Sequence, residues 1–401
     1  MEIFNPIGFN PTLLFPKNSD SWDGMRRFVG MLCERYIAYD LNYVRVHSML
    51  LESVYFSERK YSKIVNAMDA SGVIERDLSY KVGEYSRGYR LSARFRKQAF
   101  EFVEVDAIEE VCVPKSQLET VLLENFKRVT VDLANAMKDK VSMRGIYSLM
   151  LMQKGKWYSH CDEFGKRLHN NIVNMPKDTR QYLSVDGVKL VNLDNANSQP
   201  LILGIEIRDR INLLSPLYGY PSPSPCNVPT INHIELTESV IKIRDRINLL
   251  SPLPPSPCNV PTINHYIELT ESGNFYHYLS TKLNMPVEKI KKNLFSQWLF
   301  CKKHYGIGKE MEKLFPDVTA EIVEMKKRDY KNVARLLQRR ESDIMIRGVC
   351  LTLMSVYPHI WFAPIHDSIL TTPDNADAVQ HVITQEFKNY NATPTIRVTA
   401  Y

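Results

Sequence analysis

Apolar residues recur at mixed three- and four-residue spacing through MRRFVGMLCERYIAYDLNYVRVHSMLLESVYF, residues 25–56, the pattern of packed helices. The next segment changes character. A helix is expected to end near Ser71 and Gly72, and residues 73–75 and 80–82 alternate like two short strands with a turn between them. Gly83 and Gly88 punctuate a tip bearing Tyr85, Arg87, Tyr89 and Arg90. Further on, residues 189–193 alternate into a strand that ends at Asp194, with Asn195, Asn197, Ser198 and Gln199 before the next apolar run. In FAPIHDSILTT, apolar residues flank His366, Asp367 and Ser368 on both sides, which predicts a β-hairpin with Asp367 at its tip. Between these lies EKIKKNLFSQWLFCKKHYGIG, residues 288–308. Its Lys289, Lys292 and Ser296 share one helical face, Phe300 and Lys303 prolong that stripe, and Leu294, Trp298 and Leu299 face a core.

A tandem repeat interrupts this order. IRDRINLLSPLYGYPSPSPCNVPTINHIELTES (207–239) returns as IRDRINLLSPLPPSPCNVPTINHYIELTES (243–272). Two copies do not make a solenoid, and their Pro- and Ser-rich centres suit neither helix nor central strand. The segment reads as a duplication carried in a loop. The second copy runs directly into GNFYHYLSTKL and is expected to be the integral one.

Composition narrows the class. The chain has 401 residues, 44% hydrophobic and 24% charged, the balance of a soluble globular protein with two or three domains. No uncharged apolar run is long enough for a membrane span, and the N-terminus lacks the basic start and apolar core of a secretory signal. The seven cysteines (Cys33, Cys112, Cys161, Cys226, Cys258, Cys301 and Cys350) include no CxxC pair. Neither a disulfide frame nor a cysteine zinc site is suggested, and a reducing, cytoplasmic compartment is expected. The net charge of +6 is localised: residues 276–347 carry sixteen Lys and Arg against nine Asp and Glu. A basic region of this kind suits phosphate contacts, as it also suits a solvated helix face.

The candidate chemistry comes from three segments taken together. Carboxylates on adjacent strands, Asp194 and Asp367, can hold two divalent ions that activate an attacking hydroxyl and stabilise a leaving pyrophosphate. The basic-aromatic helix can hold a triphosphate by lysine and stack a ring on a nucleobase. Taken singly, each has a structural alternative: an Asx-rich turn, a plain hairpin turn, or an amphipathic surface helix.

In this order the segments resemble the motifs of family A polymerases, the DNA polymerase I-type enzymes and the single-subunit phage-type RNA polymerases. LDNANSQPLIL looks like motif A, KNLFSQWLF like motif B, and APIHDSILTTPDNADAV like motif C in its RNA-polymerase form. FGKRLHNNIVNMP with Arg180, and LLQRRESDIMIR, resemble two flanking family segments. The resemblance covers about 156–204 and 267–401. It implies that Asp194 and Asp367 bind metal and that Lys292 meets the triphosphate. It further implies that Phe300, Ser296 and Gln199 line the nucleotide site. Arg167, Asn174, Arg180, Gln338 and His366 would lie along the primer-template, with Arg339, Arg340 and Arg347 near backbone. Two Mg²⁺ ions, with Mn²⁺ as alternative, would be the cofactors, and DNA template-primer (or RNA) and nucleoside triphosphates the partners.

This sequence departs from the family at several points. Gln199 stands five residues after Asp194 where the DNA polymerases have three, and Leu201 takes the place of a glutamate that blocks a ribose 2′-OH. Phe300-Cys301 replaces Tyr-Gly, and Glu288 stands where arginine is usual, leaving Lys289 or Lys291 for that phosphate. The expected fold is α+β: residues 156–401 as a polymerase-type palm, a three- or four-stranded antiparallel sheet, with helices 275–345 as reduced fingers. Residues 1–155 should be mainly helical, resembling a winged-helix module in which Arg87 and Arg90 contact phosphates and the tyrosines stack.

The expected activity is template-directed nucleotidyl transfer by a small DNA polymerase of a phage, plasmid or other mobile element. An RNA-synthesising or primase-like enzyme and a non-catalytic replication initiator stand as alternatives. A two-carboxylate nuclease would need a third acid, for which Glu341 and Asp343 are the nearest candidates. On a helix those two read as partners of Arg340 and Arg347.

Overall fold

Helix Trp22–Tyr39 buries Met25, Phe28, Val29, Leu32 and Cys33, the i, i+3, i+4, i+7, i+8 stripe of an amphipathic helix. This is a computed structural model. It describes residues 2–16, 21–39, 42–56, 61–81, 84–105, 116–214 and 261–401. The chain forms two compact units, residues 1–113 with 133–151, and residues 114–132 with 152–401. The strand Val129–Val131 pairs with Leu183–Val185, so residues 114–132 pack with the later part of the chain despite their position ahead of residue 155.

In the first unit, strand Glu2–Pro6 pairs antiparallel with Phe100–Glu104, and Phe4 meets the rings of Phe100, Phe102 and Tyr147. After Trp22–Tyr39 come a short strand Val44–Arg45, a helical turn beginning at Ser48, and helix Tyr61–Ala70, which buries Ile64, Val65 and Met68. That helix stops where the sequence suggests. Gly72 takes a φ of +68°, and Val73 N–H donates to the Met68 carbonyl, a Schellman closure that needs a glycine. Strand Ile74–Asp77 then pairs with Gly88–Leu91, which pairs in turn with Val44–Arg45. Of the strand expected at residues 80–82, the described Tyr80 and Lys81 lie in no named strand. Lys81 meets Tyr85 in an isolated bridge, and the inward Tyr89 and Leu91 make 88–91 the partner strand instead. Val82 and Gly83 lie outside the described residues.

The second unit is mixed helix and antiparallel sheet. Its four-stranded sheet runs in the order Phe362–Ile365, Ser368–Thr371, Val191–Asn195, Ile396–Ala400, every pair antiparallel. Helix Ala376–Lys388 buries Val379, Val382, Ile383 and Phe387 and packs on Val191–Asn195. Helix Ser198–Leu214 packs on Pro261–Glu271. Gly204 sits against Ile267, and the Tyr266 hydroxyl donates to the Pro200 carbonyl at 3.0 Å. The helices Phe275–Leu283, Val287–Leu294, Ile307–Leu314 and Pro316–Lys326 gather around Tyr266, Phe275, Trp298 and Phe315.

The repeat is used differently from expectation. The head of the first copy, 207–214, completes one helix, and the tail of the second, 261–272, supplies the helix that packs on it. The rest of the repeat, residues 215–260, lies outside the described residues, as do Cys112, Cys226 and Cys258. The four described cysteines are free thiols. Among the described residues no helix is long and apolar enough to cross a membrane.

Candidate active site

Asp194 occupies the fourth position of Val191–Asn195, directly opposite Ser368 on one side and Arg397 on the other. Asp367 belongs to the two-residue turn between Phe362–Ile365 and Ser368–Thr371, as the hairpin pattern predicts. Two-residue hairpin loops need a positive φ, and His366 supplies it at +54°. The turn is fastened to the neighbouring strand, since Asn195 donates from both its backbone N–H and its Nδ2 to the Asp367 carbonyl, at 3.4 and 3.0 Å. Sheet pairing and turn therefore bring the two carboxylates side by side.

Their electrostatics follow first from burial. Burial, then the charges of Glu341 and Asp194, push the Asp367 carboxyl up to about 8. Burial also raises Asp194, against the pull of Lys177, Arg397, Lys291 and Arg180, in that order. Burial lowers His366 to about 4, helped by Arg167 and His169, so its ring is neutral at neutral pH. Its ring meets His169 edge-on, and His169 stacks on His160 at 5.2 Å. Burial raises the Tyr276 hydroxyl well above its usual value, and the charge of Asp367 adds to this.

Glu341 was read from sequence as a partner of Arg340 on its own helix. It is 1% exposed and accepts instead from Arg167, at 2.6 and 2.8 Å, and from Gln199 Nε2. Glu341 thus joins the hairpin Ser159–Cys161/Leu168–Asn170, the helix after Asp194 and the helix Asn332–Ser342. Gln199, expected at the nucleotide, and Arg167, expected at the duplex, are both tied to this carboxylate.

The other expected residues divide. Gln338 packs on Gly165, where an added Cβ would lie 2.5 Å from Gln338 Oε1 and 2.9 Å from its Cβ. Arg180 is buried and reaches the Tyr401 hydroxyl at 3.5 Å, and Asn174 donates to the Tyr158 hydroxyl. Arg339 holds the carbonyls of Phe164 and Glu163, and Arg340 pairs with Glu206 and Asp209. These two support the fold rather than offering free cations. Arg347 is exposed beside Asp343. In the first unit Arg90 is committed to Glu75 and Asn42, whereas Arg87 is exposed over the Tyr80 ring.

The lysine helix needs the clearest revision. Val287–Leu294 continues into a π-helical turn, Phe295–Leu299, whose i→i+5 bonding widens the turn. Phe300 N–H bonds the Phe295 carbonyl, and the two rings stack at 5.5 Å. Lys292 and Ser296 are exposed. Lys291 is the lysine of this helix that acts on Asp194, with its ammonium over the Tyr276 ring. The sequence offered Lys291 only as a substitute phosphate contact, and it offered neither Lys177 nor Arg397, which lie outside the motif segments.

Among the described residues no group of three or more His, Cys, Asp or Glu side chains could hold a metal ion. The hard-oxygen pair Asp194 and Asp367 remains, each raised by burial. Such a donor set fits a Mg²⁺ ion that keeps water and takes phosphate oxygens.

No family model matches this chain, and no curated protein matches it. Among solved structures it is similar to the POL domain of Pol1 from M. smegmatis, in complex with DNA primer-template and dNTP. The TM-score is 0.29 and the identity 12%, over 67% of this chain and 51% of that one. The chain thus spans about half the length of that polymerase domain, and a likeness at this level leaves the function to be argued from the residues.

Proposed function

We propose that this chain is a template-directed nucleotidyltransferase, with Asp194 and Asp367 as its metal carboxylates. The observation that carries the reading is the placement of Asp194 on its strand opposite Ser368, beside the turn that holds Asp367, with lysines and arginines around Asp194. Two Mg²⁺ or Mn²⁺ ions held there would sharpen a 3′-hydroxyl as nucleophile and neutralise the leaving pyrophosphate. Lys291, Lys177 and Arg397 are suited to the triphosphate, because their charges already act on Asp194. Lys291 takes the role first given to Lys292, and its position over Tyr276 limits where its ammonium can go. His366, neutral and next to Asp367, can face a primer end without adding charge. Arg167, held by Glu341, keeps a defined direction for a backbone contact.

Within this reading DNA is the preferred product, from a small polymerase of a phage, plasmid or other mobile element, with RNA synthesis as the alternative. Extension of a labelled primer on a DNA template with Mg²⁺, run separately with dNTPs and NTPs, tests it. Product in either mix is expected. DNA binding with no product in both, primed or unprimed, would leave a non-catalytic binder instead.

A further inference from the structure

The first unit has a cleft of about 600 Å³ between residues 80–81 and 84–87, the start of helix Tyr61–Ala70 and the residues after Val44–Arg45. That is ample for a small planar ligand. Tyr61, Tyr80, Tyr85, Tyr89, Arg87 and His47 line it. Two of its rings are exposed, Tyr80 at 60% and Tyr85 at 44%. Each ring has a guanidinium over it, Arg87 on Tyr80 at 5.5 Å and Arg45 on Tyr85 at 5.0 Å. Arg45 is spent on Asp77 and the Ser79 and Ser86 carbonyls. Arg87 has no carboxylate partner among the described residues.

The strand and helix order here, helix, strand, helix, helix, strand, tip, strand, is one in which helix Tyr61–Ala70 would be the duplex reader. Its chemistry does not suit that task. Its exposed residues are Ser62, Lys63, Asn66 and Ala70. Asn66 accepts from Arg76 at 2.7 Å, and Arg76 also pairs with Asp69 at 2.7 Å. One lysine remains for phosphates, and the helix carries an acid of its own. A groove-reading helix needs free donors aimed at base edges and several cations for the backbone. The tyrosine cleft has what an unpaired base needs, namely ring faces and an adjacent cation.

We infer that this cleft binds single-stranded nucleic acid, seating an unpaired base against Tyr80 and Tyr85 with the neighbouring phosphate on Arg87. The inference rests on the nucleic-acid reading above and supplies the form of strand that the first unit holds.

The test uses the full chain and fluorescence anisotropy with short labelled oligothymidylate, oligouridylate, an abasic oligomer of equal length, and a blunt duplex. The protein should bind the two base-bearing single strands about tenfold more tightly than the abasic strand, and the pair of them should separate a DNA from an RNA preference. Tyr80→Ala with Tyr85→Ala should lose about that factor, and Tyr80→Phe with Tyr85→Phe should keep it, since stacking needs the ring and not the hydroxyl. Equal binding of abasic and base-bearing strands, or no loss in the alanine variant, would overturn the inference. A wild type that extends nothing while still showing ring-dependent strand binding would refute the polymerase reading and leave the cleft standing.

Discussion

Asp367 is held in a state that costs stability. Burial, Glu341 and Asp194 raise its carboxyl to about 8, far above the value near 4 of an unfolded chain. Between those two pH values the folded protein binds the extra proton, so stability falls as pH rises through this window. Asp367→Asn removes the effect while the turn keeps its carbonyl bond to Asn195. Without divalent ions, the variant should melt about 2–4 °C above wild type at pH 8, the shift for about 1 kcal/mol in a unit of this size, and level with it at pH 4. Thermal melts at the two pH values check this. Burial raises the Glu341 carboxyl too, against the pull of Arg167 and Gln199, but unlike Asp367 it has a cation bonded to it. Glu341→Ala leaves a largely buried guanidinium unpaired and should cost about 3 kcal/mol, and Arg167→Ala in the same chain should recover part of that loss in denaturant unfolding.

Elements were legible where their pattern is local. The apolar–His-Asp–apolar run gave the hairpin, and alternation gave the strand that carries Asp194. The π-turn Phe295–Leu299 that follows Val287–Leu294 was not legible, since spacing assumes an α-helix throughout, and it alters where Phe300 lies relative to the lysines before it. Glu341 escaped for a different reason: its partners Arg167 and Gln199 lie 174 and 142 residues away, beyond any helix-face argument. The hairpin Ser159–Cys161/Leu168–Asn170 is positioned by a similar distant contact, Gly165 against Gln338. Gly165→Ala puts a methyl into the stem of Gln338 and should destabilise by about 1–3 kcal/mol, with relief from a second change, Gln338→Ala. Full destabilisation that persists in the double variant would assign the glycine a backbone role instead.

For the whole chain, sequence order sufficed for an α+β protein with a sheet bearing two acids, and it misjudged which residues travel together. Residues 114–132 join the later unit through strand pairing, and among the described residues the head of the first copy, 207–214, ends one helix while the tail of the second, 261–271, forms the helix packed on it. Both outcomes depend on long-range packing that no local window contains. The same long-range packing brings Asp194 and Asp367 together from segments 173 residues apart in sequence, and the account stands on that pair. The most direct test is single-turnover extension of a labelled primer-template with Mg²⁺ by wild type, Asp194→Asn and Asp367→Asn, each shown folded by its melt. The account predicts product from wild type alone, with both variants slowed at least about a thousandfold while still binding DNA, as expected when a metal carboxylate is lost. Extension by either variant at near the wild-type rate would contradict it.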